Sequence, residues 1–135
     1  MVMMFLGKRP VDLGVEAGKF KECPSTPNCV SSQTSSPQSR VPAIFIKGDV
    51  KAEMQRLVDL VTSLQGNTLV SKTDNYIHVE CKSKPFGFVH DLEYYWCEKS
   101  ETCHVRSASR FGYTDFGRNR ARVEAIRLRF NDKTM

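Results

Sequence analysis

What this chain lacks narrows its possibilities first. No apolar stretch approaches the roughly 20 residues of a membrane-crossing helix. Met1 to Leu6 is apolar, but Gly7-Lys8-Arg9-Pro10 ends the run, which is also too short for the core of a secretory signal. There is no Cys-x-x-Cys, no His-Glu-x-x-His, no His-x-His and no cluster of carboxylates, so neither a metal nor another cofactor is called for. No Gly-x-Ser-x-Gly marks a nucleophile elbow, and no internal repeat appears. The five cysteines, at 23, 29, 81, 97 and 103, are odd in number and so exclude a fully paired set.

What is present fits one folded domain. A chain of 135 residues, 40% hydrophobic and 26% charged, has enough apolar surface for a single core and too much for disorder. Its formal charge of +5 eases the approach of phosphates, anionic lipid or nucleic acid, although much of the excess lies near the C-terminus, where a solvated helix face also accounts for it. We divide the chain into residues 1–12, 13–42, 43–130 and a tail, 131–135. The first is read either as the start of a cytoplasmic chain or as a shortened export region. The second is an irregular Gly/Pro/Ser-rich segment draped over the domain, and the third an α+β domain.

Within 13–42 the dense patch is Cys23-Pro24-Ser25-Thr26-Pro27-Asn28-Cys29. Two prolines and an Asn preset a tight loop that brings Cys23 and Cys29 within disulfide range in an oxidising compartment. With no activating histidine near in sequence, a structural clasp is preferred to a reactive pair.

Val41–Lys47 reads as a strand. Gly48-Asp49 then caps a helix over about 50–65, its apolar positions Val50, Met54, Leu57, Val58, Val61 and Leu64 at helical spacing and Gly66 as its stop. Beyond Gly66 the period falls to two. Four antiparallel strands follow, at 67–73, 76–82, 89–98 and 102–110. Cys81 falls on an apolar face and His78 on a polar one, so His78 is expected at the surface. Cys97 and Cys103 are placed to lie across from each other on the last hairpin, but no bond between them is expected. Along the fourth strand Arg106 and Arg110 share a face that meets Asp91 and Glu93 on its neighbour, which suggests cross-strand ion pairs. Ser107 and Ser109 point the other way.

From Val105 to Arg120 the chain packs arginines, serines, Asp115 and Asn119 around a turn, with Thr114 or Asp115 able to cap the helix that follows. Val123, Ile126 and Phe130 share one face of that helix, while Arg118, Arg122 and Arg129 lie roughly on the other. Ile126–Phe130 also alternates like a strand. Free amides at a helix start and forked guanidinium donors suit a phosphate or carboxylate. The candidate ligand-binding set is therefore Arg106, Ser107, Ser109, Arg110, Asp115, Asn119, Arg120 and Arg122. The competing reading has the arginines clamped by Asp91, Glu93 and Asp115 with no ligand at all. A serine or cysteine nucleophile assisted by His78, His90 or His104 is a weaker alternative. Aromatics lie near basic residues, but no nucleic-acid-binding signature accompanies them.

The segments CPSTPNCVSSQ (23–33), FGFVHDLEYY (86–95) and VRSASRFGYTDFGRNRARVEAIR (105–127) resemble the domain of unknown function numbered fourteen ninety-nine, from about Leu13 to Phe130. The resemblance implies no activity. Its pattern covers Cys23, Pro24, Pro27, Asn28, Cys29, Ser31, Ser32 and Gln33, then Phe88, Asp91, Glu93, Arg106, Ser107, Ser109 and Arg110, and finally Gly112, Asp115, Gly117, Asn119, Arg120 and Arg122. Many relatives look like envelope or plastid proteins with an export or lipoprotein segment ahead of the domain. This chain departs there, having a short start and no lipobox cysteine. The fold expected is α+β: an antiparallel four- to five-stranded sheet, a long helix before the meander, and a C-terminal helix packed on one face. The function expected is non-enzymatic binding of a small anionic or amphipathic ligand, the alternatives being an enzyme using the same cluster or a structural or protein-interaction domain. Oligomeric state is left open.

Overall fold

The structure, a computed structural model, describes residues 8–132; the apolar run Met1–Leu6 and the last residues of the tail lie outside them. In chain order the elements are β1 (Val15–Glu16), β2 (Lys19–Phe20), β3 (Cys29–Ser31), a 3-10 turn (Pro37–Ser39) and β4 (Ile44–Phe45). Then come α1 (Val50–Ser63), β5 (Asn67–Lys72), β6 (Tyr76–Lys82), β7 (Val89–Cys97), β8 (Thr102–Ser109) and α2 (Arg118–Asn131). The class is α+β, as the sequence leads one to expect.

The sheet has six strands rather than four or five, and every pairing in it is antiparallel. Its order is β3-β8-β7-β6-β5, with β4 also on β8. β3 pairs with Arg106–Ala108 and β4 with Thr102–Cys103, so two short strands share one edge of β8 end to end. The strand that closes the meander is therefore interior, and its backbone groups are paired on both sides. Before Val41 the strands β1, β2 and β3 have only two or three residues, too short to display a period, which is why that segment reads as irregular. Of the strand expected at Val41–Lys47, only Ile44–Phe45 pairs, as β4.

Both helices pack on one face. Asp49 caps α1, its Oδ1 accepting from Ala52 N at 3.1 Å, and Met54, Leu57, Val58 and Val61 form the buried stripe. The helix ends at Ser63, slightly before the expected limit. Gly66 serves the next turn instead: its φ is +86°, and a Cβ there would stand 2.4 Å from the Lys82 carbonyl oxygen. In α2 the buried positions are Asn119, Val123, Ile126 and Phe130, so helical spacing prevails over the strand-like alternation of its tail. Arg56 of α1 lies 3.8 Å over the Phe130 ring and ties the helices together. Ile77, Val79, Leu92, Tyr94 and Val105 complete the core from the sheet.

The other face is polar and yet covered. Residues 9–22 cross it, with Gly14 N donating to Glu93 Oε2 at 2.7 Å and Arg106 Nε donating to the Lys21 carbonyl at 2.9 Å. His78, expected at the surface, is buried beneath this strap, its Nε2 2.7 Å from Asp91 Oδ1. Strand alternation assigned the face correctly, but the strap, not solvent, covers it. Cys97 does not oppose Cys103. It pairs with Thr102, Trp96 pairs with Cys103, and both cysteines are free thiols.

Candidate functional site

The eight candidate residues fall into three groups, because alternation along β8 sends neighbours to opposite faces. Arg106 and Arg110 lie on the strap face. Arg110 Nε donates to Asp91 Oδ2 at 2.8 Å, and its Nη2 reaches Glu80 Oε2 at 2.5 Å and Asp91 Oδ1 at 2.8 Å. Arg106 Nη1 stands 3.7 Å from Glu93 Oε1, both side chains buried. Tyr76 donates to Glu93 Oε2 at 2.5 Å, and Arg9 to Glu80 Oε2 at 2.7 Å. Burial alone drives the Asp91 carboxyl upward, but the Arg110 guanidinium and His78 outweigh it and hold it below the usual range. Arg9, with help from Arg110, likewise holds Glu80 low. Three arginines meet three carboxylates here, so the network is internally neutral.

Ser107, Ser109, Asp115, Asn119 and Arg122 converge between the sheet and α2, with Asn119 as the hub. Its Oδ1 accepts from Ser107 Oγ at 2.7 Å and from Arg122 Nη1 at 2.6 Å. Its Nδ2 is shared among Asp115 Oδ2 at 2.6 Å, Ser109 Oγ at 2.9 Å and the Asn28 carbonyl at 3.2 Å. One fully buried amide thus joins β8, the loop before β3, the turn and α2. Asp115 also caps α2, accepting from Gly117 N at 2.8 Å through Oδ1 and from Asn119 N at 3.0 Å through Oδ2. The anion seat at this helix start is consequently filled by the protein's own carboxylate. Arg122, expected on the outer helix face, instead turns toward the sheet and bonds Ser107 Oγ at 3.2 Å, and burial lowers its guanidinium pKa. It sits three residues from Asn119 and four from Ile126, so it flanks the buried stripe.

Sequence reading missed one member of this cluster as a specific partner. His90 Nδ1 lies 2.8 Å from Ser109 Oγ, and its Nε2 is buried without a partner among the described residues, as is the Tyr94 hydroxyl. The signal was available, since a hairpin turned at Lys99–Glu101 sets His90 opposite Ser109. Burial, reinforced by Arg122, pushes the His90 imidazole down to about 4, so it is neutral at physiological pH.

Arg120 stands apart from both groups. Its Nη1 donates to the Arg40 carbonyl at 2.9 Å and its Nη2 to the Gln38 carbonyl at 2.6 Å. Beside it opens a groove of about 710 Å³, walled by the Cys23–Cys29 loop, residues 34–39 and the turn from Tyr113 to Gly117. A disulfide joins Cys23 to Cys29, with their Cα atoms 5.6 Å apart, and holds that wall in a closed loop. Hydroxyls of Ser25, Ser36, Ser39 and Thr114 belong to the lining. Two acidic residues, Glu22 and Asp115, belong to the lining, and Glu22 accepts from the Thr34 hydroxyl.

Among the described residues no group of three or more His, Cys, Asp or Glu is placed to hold a metal ion, and no helix is long and apolar enough to cross a membrane. Neither the curated proteins nor the solved structures give a match to this chain. One family's sequence model covers residues 19–130, and so the chain belongs to the family described as Protein of unknown function (DUF1499).

Proposed function

We propose that the domain is a non-enzymatic binder of a small anionic or amphipathic ligand, seated in the groove between the Cys23–Cys29 loop and the head of α2. One observation carries the reading. Arg120 lines that groove and among the described residues meets only carbonyl oxygens, so none of their carboxylates cancels its charge, in contrast to Arg106 and Arg110. A planar guanidinium already oriented by two carbonyls is preorganised for a phosphate or carboxylate. Glu22 and Asp115, also in the lining, disfavour a second negative group on the ligand, and the Pro24, Pro27 and Val30 surfaces suit an apolar portion. Of the eight candidates, Arg120 is the ligand residue. Asp115 and Asn119 shape the wall, Ser107, Ser109 and Arg122 support them from inside, and Arg106 and Arg110 anchor the sheet.

Native mass spectrometry of the protein purified from its own host tests this directly. A retained small molecule, lost in Arg120→Gln but kept in a variant at the exposed Phe45, supports the reading. An unliganded mass, together with no response to phosphate or dodecyl phosphate, contradicts it.

The enzyme reading has one observation in its favour, the contact between His90 and Ser109. A base with a pKa near 4 has little driving force to take a serine proton at neutral pH, and Asn119 already donates to the same hydroxyl.

A further inference from the structure

A second surface stands out at the end of the sheet where the β6–β7 loop and the β8–α2 turn lie side by side. Arg110 N donates to the Val89 carbonyl at 3.1 Å and joins the bases of these two segments. From them project aromatic rings that the core does not use. Phe86 is 67% exposed and Phe116 85%, and Phe111 and Tyr113 are exposed too. Phe88 links two of them: its centroid is 5.8 Å from that of Phe86 and 6.0 Å from that of Phe111, on which it stacks. Phe116 has φ +55°, a region where a bulky side chain is uncommon and glycine is at ease. The fold thus holds a large apolar ring in water on a backbone that disfavours it.

The exposed charges in or next to these two segments, among the described residues, are cationic. Lys82, Lys84 and Arg118 are exposed. Asp115, the one carboxylate in the two segments, is consumed in capping α2. We propose that this rim docks the domain on an anionic phospholipid surface, with Phe86, Phe111 and Phe116 entering the headgroup boundary and Lys82, Lys84 and Arg118 meeting lipid phosphates. Aromatic rings at loop tips with cations beside them match that boundary in both polarity and charge. Nucleic acid fits less well, because β8's arginines, which would track a backbone, are spent on Asp91, Glu80 and Glu93 on the strap face. A second copy would bring like charges together. The rim shares the Tyr113–Gly117 turn with the groove beside Arg120 but draws on neither Arg120 nor the Cys23–Cys29 loop.

The test is co-sedimentation of the full chain with vesicles of phosphatidylcholine alone or mixed with phosphatidylglycerol, at low and high salt. Binding is expected only to the anionic vesicles, falling as salt rises. The double variant F86S/F116G is expected to weaken it about tenfold or more, since two rings no longer enter the boundary. F116G alone is expected to keep or raise the melting temperature, which shows the fold intact, and F45S, at the other end of the sheet, is expected to bind like wild type. No binding to anionic vesicles, or binding unchanged in F86S/F116G, overturns the proposal. Binding to a single-stranded oligonucleotide that F86S/F116G abolishes, with no binding to vesicles, overturns it in favour of a nucleic-acid partner.

Discussion

Arg110 and Arg120 belong to one motif, ten residues apart, and the chain uses them in opposite ways. Arg110 is held beneath the strap by Asp91 and Glu80, its side chain only 3% exposed. Arg120 leans across a groove and meets carbonyl oxygens alone. The difference teaches that a run of arginines is not by itself a site. What counts is whether a carboxylate from another strand has already answered each charge. On the strap face it has, since Asp91 and Glu93 share β7's outer side. At the head of α2 the carboxylate of Asp115 is spent on the backbone amides of Gly117 and Asn119 and on the Asn119 side chain.

The largest effect is expected on the strap face. Asp91→Ala strips the buried Arg110 of its bidentate partner and His78 of its carboxylate partner, and is expected to cost about 3–5 kcal/mol in urea unfolding. A loss below about 1 kcal/mol would mean that the strap opens and rehydrates the arginine.

Next comes the pH profile. The His90 imidazole is depressed in the folded state to about 4 from an ordinary 6.5, so between those values the unfolded chain binds the extra proton. Stability is therefore complete above pH 6.5 and declines as pH falls toward 4, by about 3 kcal/mol for a shift of this size. His104, lowered chiefly by burial, acts in the same direction. Urea unfolding of His90→Gln from pH 4 to 7 is expected to show a flatter profile than wild type.

Asn119→Ala probes the hub. It leaves the Ser107 hydroxyl and the Arg122 guanidinium without their shared acceptor, for an expected loss of about 2–3 kcal/mol by the same measurement. The smallest stability effect belongs to Arg120→Gln, expected to cost under about 1 kcal/mol, because its bonds lie at the surface. Its consequence appears in ligand response rather than in folding.

Local patterns made much of this fold legible. In α1 the buried stripe and the Asp49 cap agree with the structure, and the period-two strands of the meander are equally plain. The edge strand β3 was not legible, being stabilised by β8 rather than by any pattern of its own, whereas β4 lies within the strand expected at Val41–Lys47. His78 was misjudged for a related reason: alternation tells which face a residue takes, not what covers it, and the cover comes from residues 9–22. Arg122 was placed on the wrong side because it borders the buried stripe of α2, where one turn's offset decides between water and Ser107. For the candidate set, residue types drew attention to the right turn and alternation along β8 separated Arg106 and Arg110 from Ser107 and Ser109, but which partner answers each arginine is decided by strand register.

The most direct test of this contrast is thermal unfolding of wild type, Arg120→Gln and Arg110→Gln, each with and without dodecyl phosphate. Ligand that binds only the folded chain raises its stability by RT ln(1 + [L]/Kd), about 2.7 kcal/mol at a hundredfold excess over Kd. The account predicts that wild type gains stability with the ligand, that Arg120→Gln starts near wild type but gains none, and that Arg110→Gln starts far lower yet keeps the gain. An equal gain in wild type and Arg120→Gln would contradict it.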